Sequence, residues 1–255
     1  FFGGFGLVTT ISTACSSAAN SIMLGADLIK SGRCDVVVAG GSECLTRYHL
    51  NGFNSLKILD SEPCRPFDAT RNGLNLGEGA GFVVLESEEH ALNRGVAPIG
   101  ALDGYGNACD AFHQTASSDD GEGAFLAMSK ALNMSGLKPG DIDYVNAHGT
   151  ATPNNDASES RAMIRLFGDK IPPVSSTKAF TGHTTSAAGS IEAVICLLAI
   201  RHGFIPANLN WKEPFDGGVV PDAEGHQGVR LDHVLCNSFG FGGNDSSLLI
   251  SRYGK

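Results

Sequence analysis

Apolar and polar positions change period repeatedly along the 255 residues, and each change marks a switch between strand and helix. The β-branched run Thr9 to Thr13 predicts a strand. From Cys15 to Lys30, Ile22, Met23, Ala26 and Ile29 recur at helical spacing, with Gly32 placed to cap the C-terminus. Short apolar runs predict buried strands at Asp35–Ala39, ended by Gly40 and Gly41, and at Gly81–Leu85. Ser87 followed by Glu88 and Glu89 predicts a helix start, because carboxylates favour the positive end of the helix dipole. The second half continues with a helix over Gly121–Ser135, Phe125, Met128 and Leu132 sharing one face, and a strand at Asp143–Ala147. Helix Asp156–Leu166, strand Pro173–Ser176, helix Ser186–His202 and strand Val234–Asn237 follow. This alternation predicts an α/β protein whose sheets are buried beneath helices. Leu45–Asn75 and Tyr105–Gly121, rich in Gly, Asn and Asp, read as long loops of the kind that carry function.

Composition narrows the function classes. An apolar content of 42% supports a large core in one or two packed units. Polar residues or glycine interrupt every apolar stretch before it reaches the length of a membrane helix, Ala187–Ile200 included, so no membrane association is expected. The net charge is −9 and the basic residues are dispersed, which offers nucleic acid no footprint. Seven cysteines, odd in number and without paired metal-ligand spacing, predict neither a disulfide framework nor a zinc site; a reducing cytoplasm fits them. The opening Phe-Phe-Gly-Gly-Phe-Gly lacks both an initiator Met and a basic signal start, and reads as the interior of a longer chain.

Reactive residue types gather at predicted strand ends. In Ser12-Thr-Ala-Cys15-Ser-Ser-Ala-Ala19 a cysteine stands at a strand-to-helix turn among small residues, where helix-start amides are expected to lower the thiol pKa. Taken alone it would be one inert thiol among seven. Val145-Asn-Ala-His148-Gly-Thr150-Ala-Thr152 delivers a histidine and then a Gly-Thr loop into a helix. Ser175-Ser-Thr-Lys178 leaves another strand, and His183 follows near the start of an apolar helix, a location that favours a neutral imidazole. Leu235-Cys-Asn-Ser-Phe239-Gly-Phe241-Gly-Gly-Asn244 supplies a glycine loop near the end.

The order Cys15, His148, Lys178, His183, then Asn-Ser-Phe-Gly-Phe-Gly-Gly resembles the β-ketoacyl synthase family, in particular its elongating, acyl-carrier-protein-dependent type. Cys64-Arg-Pro-Phe-Asp68 through Leu76-Gly-Glu-Gly-Ala-Gly81 is similar to that family's linking segment, and Asp110-Ala-Phe-His-Gln-Thr115 to one of its active-site loops. The resemblance implies a thiolase-like five-layered αβαβα fold, with residues 1–95 as the remainder of the N-terminal half and 96–255 as the C-terminal half. Only fourteen residues precede the nucleophile, so by family comparison about the first third is missing from this chain.

What the resemblance implies for chemistry is a decarboxylative Claisen condensation in fatty acid, polyene or polyketide elongation. Cys15 would carry the acyl group, and the amides of Cys15 and Phe241 would form the oxyanion hole. His148 and His183 would stabilise the malonyl-derived enolate, with Lys178 and its partner Glu192 in support. Thr150 and Thr152 would bind the pantetheine arm, and Phe53, Phe239 and Phe241 would shape the acyl pocket. No metal and no resident cofactor is expected, the substrate arriving on the phosphopantetheine of an acyl carrier protein, which Lys57 and Arg65 are placed to meet. The expected assembly is a homodimer or a heterodimer with a related subunit. A thiolase with Cys236 as second cysteine, a chalcone-synthase-like enzyme and a non-catalytic chain-length-factor-like subunit are the alternatives: the strand setting of Cys236 and the second histidine, His183, disfavour the first, His183 the second, and the joint presence of Cys15, His148, Lys178 and His183 the third. One departure stands out: Thr185-Ser186 occupies the place where the family often has a Leu-Gly-type pair.

Overall fold

The structure, a computed structural model, describes Gly4 and residues 6–254. The opening segment read as the interior of a longer chain therefore lies largely outside the described residues. In chain order the elements are α1 (Ser17–Lys30), β1 (Val36–Glu43), α2 (Arg47–Ser55), β2 (Gly79–Glu86) and α3 (Glu88–Asn93). Then come β3 (Gly100–Cys109), α4 (Glu122–Ser135), β4 (Tyr144–Asn146), α5 (Pro153–Phe167), β5 (Val174–Ser175) and α6 (Lys178–Thr181). The chain ends with α7 (Ala188–His202), β6 (Phe204–Ile205), β7 (His226–Gln227), β8 (His233–Gly240) and β9 (Asn244–Arg252).

β1 and β2 form an antiparallel pair, and the principal sheet has the order β3-β9-β8-β4-β5. Within it β4 runs parallel to β5 and β8, while β9 is antiparallel to β8 and β3. Side-chain alternation splits this sheet into two apolar faces. Val234 and Cys236 of β8, with Leu248 and Ile250 of β9, face Ile22, Met23 and Ala26 of α1 and Ala193, Cys196 and Ala199 of α7. Leu235 and Leu249 face the other way, onto Met128 and Leu132 of α4 and Ala162 and Met163 of α5. The β1–β2 pair covers the far side of α1 and α7, with Ala39 in the same core. Four consecutive layers result: a strand pair, two helices, a five-stranded sheet and two more helices. The outer face of the strand pair displays Val36, Val38, Phe82 and Val84 to solvent. The division expected near residues 95 and 96 falls between α3 and β3, where the chain passes from the strand pair to the principal sheet.

Several expected elements move. Thr9–Thr13 forms no strand; Leu7 and Val8 beside it are exposed, and Thr13 makes only an isolated bridge to Cys15, because no neighbouring strand among the described residues offers a ladder. The expected loop Leu45–Asn75 contains α2, whose Gly and Asn content hid it and which Thr46 caps by accepting a hydrogen bond from the His49 amide. The expected loop Tyr105–Gly121 begins inside β3. β1 continues through Gly40 and Gly41 rather than ending there.

Gly106 fell within the expected loop because glycine weakens strand propensity, yet with Gly104 it is a packing device. A Cβ on Gly104 would stand 2.1 Å from the Ala131 carbonyl oxygen, and one on Gly106 would stand 2.1 Å from that of Ala127. α4 thus rests directly on the β3 backbone. Replacing Gly106 by Ala in the full-length protein is expected to lower unfolding free energy by about 1–3 kcal/mol through overpacking, measured by urea denaturation; an unchanged midpoint would show that the helix shifts freely.

Candidate active site

Cys15 sits just before α1 on a turn that the sequence builds from small hydroxylated residues. Ala14 takes φ +52°, and the turn is closed by Ser17 Oγ, which accepts from the Thr13 amide at 2.9 Å and donates to the Ala14 carbonyl at 2.6 Å. Ser16 Oγ donates to the Thr13 carbonyl and lies 2.8 Å from Asn244 Oδ1, which also accepts from Asn20 and Asn107. The Cys15 turn is therefore stitched to the Gly240–Asn244 turn. That turn meets the Asp110–Thr115 loop in its turn: Gly242 N–H donates to the Gln114 carbonyl and Asp110 N–H to that of Gly243.

His148 leaves the end of β4. The amides of His148 and Gly149 donate to the two oxygens of buried Glu159 at 2.9 and 2.8 Å, which fixes the direction in which the imidazole departs. Lys178 opens α6 with 1% of its side chain exposed, and its Nζ lies 2.5 Å from Oε1 of equally buried Glu192 on α7. His183 follows Gly182, its amide donating to the Asn75 carbonyl at 2.7 Å and its carbonyl accepting from Gly77 at 3.0 Å. Three segments distant in sequence thus converge: His183 Nε2 is 3.1 Å from Cys15 Sγ, and the His148 and His183 rings meet edge to face at 5.3 Å.

Burial, and then the Lys178 ammonium, hold both imidazoles well below the usual histidine range, so both are neutral at physiological pH. Burial also pushes the Cys15 thiol up to about 11, against the opposing pull of Lys178 and of the backbone amides of Phe241 and Cys15 itself. The lowered thiol expected from helix-start amides is therefore corrected: those amides act, but desolvation outweighs them. Burial likewise raises Glu192, opposed by Lys178, and takes Glu159 to about 7 against the donors Gly149 and His148.

The remaining expected residues divide. Thr150 and Thr152 lie side by side with hydroxyls 2.9 Å apart, Thr150 buried and Thr152 half-buried. Phe53 and Phe241 stack at 5.9 Å, and Phe241 stands between Gly240 and Gly242, the latter at φ +83°. Phe239 is 6% exposed, belongs to the core and packs on the His148 ring at 5.7 Å. Lys57 is exposed, whereas Arg65 is tied into its own loop by Asp60 at 3.0 Å and by the Thr70 carbonyl. Cys236 is fully buried and faces Cys196 in the core between α7 and the sheet, which raises its thiol well above the ordinary range. Sequence reasoning did not reach Glu159 or Glu43 and gave Asn244 no role beyond closing the glycine loop. An acidic residue on the buried face of α5 was the available signal for Glu159. Among the described residues no group of three or more His, Cys, Asp or Glu is arranged to hold a metal ion, and no helix is long and apolar enough to cross a membrane.

Residues 1–91 match the family description "Beta-ketoacyl synthase, N-terminal domain" and residues 99–212 "Beta-ketoacyl synthase, C-terminal domain". The chain is 43% identical to the mitochondrial 3-oxoacyl-[acyl-carrier-protein] synthase of Arabidopsis thaliana, over 94% of this chain and 55% of that protein. It is also 43% identical to 3-oxoacyl-[acyl-carrier-protein] synthase 2 of Rhizobium meliloti, over 96% of this chain and 60% of the relative. Among solved structures it superposes on the ishigamide ketosynthase/chain length factor with a TM-score of 0.92 at 38% identity, covering 97% of this chain and 61% of the other. A type II PKS ketosynthase in complex with its acyl-carrier protein, bound to the hexaketide, superposes with a TM-score of 0.91 at 30% identity, covering 96% and 63%. The chain thus spans less than two thirds of the length of each of these relatives. Two halves of one family matched in order, on a fold that solved ketosynthases share, make this chain a member of the β-ketoacyl synthase family.

Proposed function

We propose that the protein is an acyltransferase of chain elongation, a β-ketoacyl synthase that condenses an acyl thioester held on Cys15 with a malonyl-acyl carrier protein. The observation that carries this reading is the 3.1 Å approach of neutral His183 to the Cys15 sulfur with neutral His148 beside it. Cysteine alone would suit many hydrolases and transferases. Two uncharged imidazoles facing one thiol suit a reaction that needs hydrogen-bond donors at a developing enolate without a strong acid that would quench it.

In the first half-reaction the Cys15 thiolate attacks the acyl thioester carbonyl. The new carbon–sulfur bond forms at Cys15, and the carrier's pantetheine thiolate leaves and takes up a proton. The amides of Cys15 and Phe241, which already bear on the sulfur, are placed to hold the tetrahedral oxyanion. In the second, the bond between the malonyl methylene and its carboxylate breaks, carbon dioxide leaves, and the electron pair moves onto the thioester oxygen. N–H groups of His148 and His183 stabilise that oxygen. The enolate carbon then attacks the acyl group, the bond to Cys15 breaks and the sulfur regains a proton. Lys178, paired with Glu192, does not touch the reacting atoms in this scheme; its field adds to burial in holding the imidazoles neutral and partly offsets the burial that raises the thiol.

No resident cofactor takes part, the pantetheine arm being carried in by the partner; Thr150 and Thr152 line its approach, and Phe53 with Phe241 gates the acyl pocket. Lys57 is the exposed cation left to meet an acidic carrier. Pairing with a second copy or with a related subunit is supported by neighbours named as ketosynthase with chain length factor. A reducing compartment such as the cytoplasm suits the free thiols. The thiolase reading is disfavoured by the position of Cys236 in the core.

Intact-protein mass spectrometry of the full-length enzyme with a panel of acyl carriers should show an acyl adduct that Cys15→Ala abolishes; an adduct that persists in the variant would move the nucleophile elsewhere. His183→Ala should still load Cys15 but lose decarboxylation of malonyl carrier by about 10²–10³-fold, and undiminished carbon dioxide release would remove His183 from its role. With the thiol raised to about 11, iodoacetamide alkylation of Cys15 should be slow at neutral pH. It should climb about tenfold per pH unit into the alkaline range, since only thiolate reacts; a rate already level at neutral pH would contradict the raised thiol.

A further inference from the structure

Two residues beyond His183 the backbone takes a conformation that its own side chain opposes. Thr185 has φ +38°, a region that glycine enters freely and that a β-branched residue occupies only when its surroundings hold it there. Thr185 and Ser186 are also the pair by which this chain departs from the Leu-Gly-type pattern. Their hydroxyls converge on one carboxylate at the end of β1: Thr185 Oγ1 and Ser186 Oγ both donate to Glu43 Oε2, the latter at 2.7 Å, and the Ser186 amide points to the same oxygen at 3.4 Å. The other Glu43 oxygen accepts from the Cys44 amide at 3.2 Å and lies 3.7 Å from His49 Nδ1. Burial opposes ionisation of Glu43, yet the Thr185 and Ser186 donors outweigh it and hold the carboxyl below its ordinary value, so it is a charged acceptor at neutral pH.

The opposite edge of the same segment is also gripped. His183 is paired through its amide and carbonyl with Asn75 and Gly77, and a Cβ on Gly77 would stand 2.1 Å from the Thr181 carbonyl oxygen. β1 closes in on the other side, where a Cβ on Gly41 would meet the Ser186 carbonyl oxygen at 3.0 Å and Ala18 of α1 at 3.2 Å. Residues 182–187 therefore run as a narrow strip between two walls. The φ of residue 185 sets the direction in which the strip runs from the clamped His183 into α7.

We propose that Glu43 is a positioning residue: by binding the hydroxyls of Thr185 and Ser186 it holds residue 185 in its left-handed conformation and so keeps the His183 imidazole against the Cys15 sulfur. The assignment rests on the reading of His183 as a group that stabilises the enolate. Glu43 touches no reacting atom, and its loss should act on the second half-reaction far more than on the first.

The test uses the full-length enzyme and measures carbon dioxide release from malonyl carrier beside acyl loading of Cys15. Glu43→Ala is expected to lower kcat for decarboxylation by about tenfold or more with KM and acyl loading within about twofold of wild type. Adding Thr185→Gly to that variant should restore most of the lost rate, because glycine takes φ +38° without a restraint. A Glu43→Ala rate within about twofold of wild type, or a loss that Thr185→Gly does not recover, would overturn the proposal. If Glu43→Ala does not fold, Thr185→Val, which deletes the hydroxyl and keeps the volume, should show the same selective loss, and a wild-type rate there would overturn it. His183→Ala run in parallel separates the two claims. An inactive His183→Ala beside a fully active Glu43→Ala defeats the positioning role alone, whereas a fully active His183→Ala defeats the enolate reading and this proposal with it.

Discussion

A buried ammonium facing a buried carboxylate is the constraint around which this site is arranged. Lys178 and Glu192 are both almost wholly withdrawn from water, and desolvating either alone would cost several kcal/mol. Their 2.5 Å pairing is what makes both tolerable, and it requires that the start of α6 and the first turns of α7 be held at one separation. The strip carrying His183 spans that separation. Burial is the first reason the two imidazoles are neutral; the positive end of the pair adds to it, and opposes the desolvation that raises the Cys15 thiol.

Small residues let these parts come close enough to act. Gly189 of α7 is in near contact with Ala19 of α1, where a Cβ would lie 2.9 Å from the Ala19 amide nitrogen, so the helix that follows Cys15 and the helix carrying Glu192 pack backbone to backbone. Gly240 is equally close to the Thr13 carbonyl and Ser16, which brings the Phe241 amide onto the cysteine turn. Hydroxyl and amide side chains then lock the approach, as Ser16, Asn20 and Asn107 do around Asn244. Apolar burial holds the layers together, while these polar stitches decide which turn faces which.

Much of this was legible in residue order. The long helices α1, α4 and α7 were foreseen within one or two residues of their ends, because each presents an apolar face or a predominantly apolar run. The elements that were missed are those whose local preference and tertiary role conflict. β3 carries glycines that disfavour a strand but admit α4, and α2 holds Gly and Asn that disfavour a helix but is capped by Thr46. Thr9–Thr13 shows the converse, since β-branched residues give no strand without a partner to pair with.

Among the site residues, Cys15, His148, Lys178 and His183 could be named from type, order and position at element boundaries, and Glu192 from a charge set in an apolar run. The sequence by itself determined that these chemical groups exist, that they lie at or near element boundaries, and which family they belong to. A neutral His183 was expected from its place near a helix start, but tertiary structure decided the states of the rest and the physical cause of all of them. Neutral imidazoles, a thiol raised to about 11 and the Glu43 grip on Thr185 all depend on how much water each group loses and which distant group stands within a few ångströms. Desolvation and Coulomb terms are properties of the packed assembly, and no local stretch of sequence carries them.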